Sequence, residues 1–140
     1  MPIFATDKAR LSALIKNYDS PRSPELFNEL VTVNEASATT YALGTVLGKI
    51  TASGKYIVSK PAAADGSQTP VAIYIGDAFG FPGDSAIPAA TDTKVLVLAR
   101  GKVVVSASAL VLDSTINTAP LRATAYAALK AVGILVETSV

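Results

Sequence analysis

Apolar positions along this chain recur first with helical spacing and then with the spacing of short strands. Leu11, Leu14, Ile15 and Tyr18 fall at i, i+3, i+4 and i+7, which predicts a helix over residues 7–16. Thr6 or Asp7 caps its start, and the charge of Asp7 suits a helix N-terminus. Such a short helix is marginal in isolation, so its stripe rests either on its own domain or on a partner. Residues 17–24 (NYDSPRSP) hold two prolines in four positions and read as a linker. Residues 25–33 then turn apolar, with Phe27, Leu30 and Val31 large and the Thr32–Val33 end favouring a strand.

From Tyr41 onward the pattern is one of strands and turns. Residues 41–50 are β-rich, with Gly44 and Gly48 as points of bulging or close approach. Ser53 and Gly54 make a turn, residues 55–59 return, and 60–69 form a polar loop. Residues 71–75, 95–98 and 103–105 are apolar on both faces. Arg100 and Gly101 separate the last two runs, which predicts a hairpin between them. Residues 77–93 read as a long loop carrying Phe79 and Phe81, which either tuck beneath it or face a ligand. A helix follows: Thr118 caps it, Pro120 fits its first turn, and Leu121, Ala125, Ala128, Leu129 and Val132 share a face. Gly133 ends it and residues 134–138 form a last strand. A sheet with one wet face should alternate apolar and polar residues. The runs holding Val71, Ile73, Ile75, Val103 and Val105 do not, and a subunit interface is expected to cover their second face.

Composition narrows the chemistry. The 140 residues fit one domain. Half are apolar, but 24 are alanine, so the core is built of small pieces. Charged residues make up 16%, below the usual figure of about 25%; either an assembly or a surface of Thr, Ser and Ala accounts for that. With no Cys and no His, disulfides, thiolate or Ser–His–Asp catalysis and most transition-metal sites are excluded. Net charge is +1, which gives nucleic-acid binding no electrostatic support. No signal peptide is legible at the start, and the nearly apolar stretch 125–136 is too short to span a bilayer. The expectation is therefore synthesis in a cytoplasm, with no membrane partner.

Candidate catalytic motifs fail on their details. Residues 44–50 (GTVLGKI) lack the spacing and the hydroxyl of a phosphate loop. Asp65, Asp77, Asp84, Asp92 and Asp113 sit beside Gly, Ser, Thr or Ala in turns, where Asp serves local backbone hydrogen bonds. Asp77 and Asp84 belong to no clustered metal loop, and no nucleophile elbow occurs. No enzyme, metal or cofactor is expected.

Three segments together carry a resemblance: residues 44–50 (GTVLGKI), 53–56 (SGKY) and 65–73 (DGSQTPVAI). With the Arg100–Gly101 turn and the C-terminal helix, the stretch 41–136 resembles the lambda-type head decoration, or capsid cement, proteins of tailed bacteriophages. That resemblance implies a mainly β fold: a small β-barrel or β-clip-like domain with one C-terminal helix and an extended N-terminal arm. It implies homotrimers on three-fold and quasi-three-fold positions of an icosahedral shell, clamping the major capsid protein without catalysis. The arm would be residues 1–33, contacting the shell through Leu11, Leu14, Ile15, Phe27, Leu30, Val31 and Val33, with 34–140 as core. Residues 79–88 look like an insertion against the family pattern, and the helix at 7–16 is longer than a plain arm needs. A small β-domain binding a ligand or glycan through residues 79–84 is the alternative reading.

Overall fold

The computed structural model describes residues 15–18, 28–79, 83–99 and 103–137. Among the described residues, ten strands and one α-helix follow in order: β1 (Ile15–Tyr18), β2 (Asn28–Val33), β3 (Thr39–Tyr41), β4 (Val46–Lys49), β5 (Tyr56–Val58), β6 (Pro70–Asp77), β7 (Ser85–Ile87), β8 (Thr93–Leu98), β9 (Val103–Ser106), α1 (Ala119–Ala131) and β10 (Ile134–Glu137). The described fold is thus mainly β with a C-terminal helix, as the pattern predicts.

Five strands pair in a ring, β2–β5–β4–β6–β8, closed by the antiparallel ladder of β2 on β8. The β2–β5 step is a single parallel residue pair, Val33 with Tyr56. Register shifts between Leu47 and Gly48, and between Tyr74 and Gly76, bend the ring as bulges do. Every stave sends a side chain inward: Val33, Tyr56, Leu47, Tyr74 and Val97 belong to one buried cluster. Tyr41 and Ile87, from the two-stranded β3–β7 ribbon, belong to the same cluster. The Tyr41 and Tyr74 rings meet edge to face at 5.5 Å.

A second core lies outside the ring. Ile73, Ile75 and Leu98 point away from the barrel interior and meet Leu129 of α1, Ile134 of β10, and Val103 and Val105 of β9. The chain therefore covers both faces of β6 and β8 by itself. These two strands form a wall between two cores, which accounts for their lack of polar alternation.

α1 forms as its sequence dictates. The Thr118 hydroxyl accepts from the Leu121 N–H at 3.4 Å and proline occupies the first turn. Ala125 and Leu129 are buried, and Gly133 takes φ +95° just past the helix end.

Four expectations change. Ile15 and Lys16, assigned to a helix over 7–16, are extended: β1 pairs with the edge of β9. The ladder satisfies backbone groups that a marginal helix would hold weakly. Asn17 and Tyr18 belong to this strand rather than to the linker, while Leu11, Leu14 and residues 19–24 lie outside the described residues. Residues 95–98 and 103–105 do not form a hairpin: β8 is flanked by β2 and β6, and β9 by β1 and β10. With both edges of each strand taken, the two cannot pair. The loop 77–93 contains β7, held by β3. β2 runs along β8 through six residue pairs, so residues 28–33 take part in the barrel.

Candidate functional site

The expected site residues separate by burial. Val31 and Val33 are 5% and 0% exposed and line the barrel interior, whereas Leu30, facing the other way, is 49% exposed. It stands opposite the half-buried Leu96 in the β2–β8 register. Leu11, Leu14 and Phe27 lie outside the described residues, as do the side-chain contacts of Ile15. Of the five residues assigned to a subunit contact, Ile73, Ile75, Val103 and Val105 are buried in the second core; Val71 alone keeps exposed surface. The structure does not gather the five on one face.

The insertion is anchored at both described ends. The Phe79 N–H donates to Asp77 Oδ1 at 2.9 Å. Tyr74 reaches across the loop, donating its hydroxyl to the Gly83 carbonyl at 2.7 Å and sharing a hydrogen bond with Ser85. Phe79 itself is 85% exposed, so it does not tuck beneath the loop. Phe81 and Pro82 lie outside the described residues.

The aspartates behave as turn residues. Asp65 accepts from both the N–H and the hydroxyl of Ser67, which hold its carboxyl below the usual range. Asp113 accepts from the N–H of Thr115 at 3.1 Å. Among the described residues no cluster of three or more acidic side chains could hold a metal.

The distinctive surface is the β2–β5 seam. At the pair of Val33 with Tyr56, the Asn34 N–H donates to the Tyr56 carbonyl at 3.3 Å. The ladder stops there because the β4–β5 hairpin turns away, closed by Gly54 N–H to the Ile50 carbonyl at 2.8 Å. The result is a groove of about 350 Å³. Glu29, Leu30 and Thr32 form one bank, Lys49, Ser53 and Lys55 the other, and Asp92 and Lys94 line it as well. Asp92 pins the hairpin to the barrel: it accepts from Asn34 Nδ2 at 2.6 Å and pairs with Lys55 Nζ at 2.9 Å. Those two contacts, the amide first, hold its carboxyl below the usual range. Lys49 lies with its ammonium 5.9 Å from the centre of the Tyr56 ring. Burial, with a smaller push from Glu29, raises the Tyr56 hydroxyl above its ordinary value.

The sequence reading passes over this seam. Lys55 and Asp92 are 37 positions apart, and only strand register brings them together. The one local signal is the polar Asn34–Glu35 pair directly after a strand whose alternate residues are apolar. Glu35 closes the barrel end, accepting from the Tyr41 hydroxyl and, at 2.8 Å, from the Val58 N–H.

Compared with known families, residues 22–134 match the model described as bacteriophage lambda head decoration protein D. No curated protein matches the chain.

Proposed function

The chain belongs to the bacteriophage lambda head decoration protein D family, a structural family of the phage head, and from that membership we propose how it acts. It binds as a homotrimer on the outer surface of an icosahedral head, at three-fold and quasi-three-fold positions, and ties neighbouring copies of the major capsid protein together. The match over residues 22–134, which takes in both cores, carries the reading.

Burial refines which residues serve it. Leu11, Leu14, Ile15, Phe27 and Leu30 remain the proposed attachment residues. Val31 and Val33 leave that set because the barrel interior already holds them. A subunit contact formed without opening the fold has to avoid Ile73, Ile75, Val103 and Val105 for the same reason. An arm ordered only on a partner loses several kcal/mol of freedom, and each buried Leu or Phe returns about 1.5–3 kcal/mol. Three arms on one trimer multiply the gain.

The test mixes the full chain with undecorated heads of its phage and images them by electron cryomicroscopy. Density at the three-fold positions in clusters of three is the expected result. Heads left bare, or decorated by isolated single copies, would overturn the proposal. Leu30→Asp should lower occupancy while leaving the melting temperature of the free protein nearly unchanged, because that side chain is half exposed.

A further inference from the structure

The outer strands of a sheet are templates for further strands, because the N–H and C=O groups along an open edge need partners. The sheet outside the barrel has two such edges. It runs β1–β9–β10, and among the described residues no strand pairs beyond β1 or beyond β10. The two edges are matched. Each strand has four residues, and both are held at the same levels of β9, Tyr18 and Ile134 against Val103, Asn17 and Leu135 against Val104. β1 is antiparallel to β9 and β10 is parallel to it, so the two edges point in opposite directions. β10 also lacks what ordinarily guards an edge: it holds Ile, Leu and Val with neither Lys nor Pro, and Leu135 is 47% exposed.

We propose that β10 of one copy pairs antiparallel with β1 of the next, so that three sheets join head to tail into a closed ring. The proposal rests on the homotrimer reading and supplies its contact. Rotation about an axis parallel to the strands changes neither their direction nor their level, which brings Leu135 opposite Asn17 of the partner subunit. Pairing of like edges, β10 on β10, would be isologous and stop at two copies, whereas unlike edges join heterologously and close as a ring. Charge agrees with this choice. The one cation of β1, Lys16, and the one anion of β10, Glu137, both lie on the Ser106 side of Val104. Unlike edges therefore meet with unlike charges.

The chain has no Cys, so an introduced pair reports without background. In Asn17→Cys with Leu135→Cys, β9 stands between the two positions of one chain and separates them by about 10 Å, beyond the roughly 7 Å reach of a disulfide. Across the proposed ladder the same positions lie about 4.5–5.5 Å apart, so any disulfide links two copies. Under mild oxidation, of the free protein and of decorated heads, the double variant should run as a covalent trimer on a denaturing gel. Tyr18→Cys with Glu137→Cys, at opposite ends of the ladder, should link far less. In sedimentation, Glu137→Lys should weaken the trimer about tenfold, and adding Lys16→Glu should restore it. Equal linking by both cysteine pairs, products no larger than dimers at full oxidation, or absence of that rescue would overturn the ladder. So would a protein that sediments as a trimer yet forms no link, which leaves the trimer reading standing. Monomers in solution and isolated copies on heads would overturn both.

Discussion

A Cβ on Gly48 would lie 2.0 Å from the Ser67 carbonyl oxygen, a distance no packed side chain tolerates. The segments GTVLGKI and DGSQTPVAI therefore meet at this point, where the 65–69 turn lies against β4. Backbone contact, not side-chain chemistry, fixes the residue at position 48. Gly48→Ala must push that turn away and should destabilise the protein by about 1–3 kcal/mol, measured by urea unfolding. Asp92 works at the same scale but by charge. Its carboxyl titrates below the ordinary value because Asn34 and Lys55 favour the ionised form. A carboxylate depressed in this way contributes stability above its unfolded pKa of about 3.9, and that contribution is lost as pH falls through the lower folded value. The Asp92 carboxyl carbon, followed by NMR, should titrate below an unperturbed aspartate, and Asn34→Ala with Lys55→Ala should return it to the ordinary range.

Among the elements, β2 decides where the arm ends. It contributes Val31 and Val33 to the barrel interior and six residue pairs to the β8 ladder. Burial of the two valines alone is worth about 3–6 kcal/mol, a large share of the 5–15 kcal/mol typical of a domain. Removing residues 1–14 should leave the melting transition in place, whereas removing 1–33 should abolish cooperative unfolding in calorimetry. How far the elements were legible follows from how local their causes are. α1 could be read because its cap, proline, apolar stripe and closing glycine all lie within 16 positions. Residues 56–58, 71–75, 95–98 and 103–105 could be read as strands from their β-branched side chains. Pairing could not. Two residues at Arg100–Gly101 mark a turn equally well whether the chain folds back on itself or passes to another sheet. Residues 15–18 fit a helical stripe until the edge of β9 offers a ladder. β7 is a three-residue strand, Ser85–Ile87, too short for a period to emerge. The seam was illegible for the same reason: it is made by register between distant segments.

At the scale of the whole molecule, two cores share one wall. Ala72 and Tyr74 face the barrel interior while Ile73 and Ile75 face α1, so neither core can come apart without baring one side of β6. Unfolding should be a single event. Tyrosine fluorescence reports mainly the barrel, since Tyr41, Tyr56 and Tyr74 lie there and the chain has no Trp. Helical circular dichroism reports α1. The two denaturant midpoints should coincide, and separate midpoints would show that the cores act alone. The short β1 ladder has a mechanical meaning as well. Tension applied at Ile15 meets β1 before β2, and β1 is only four residues on the rim of β9. Once β1 is released the pull passes to β2, whose six residue pairs with β8 resist it. Drawn from its N-terminus in an optical trap, the protein should yield in two steps, a weak extension without loss of the barrel and then rupture at higher force. Under load from that side, the short ladder yields before the barrel does.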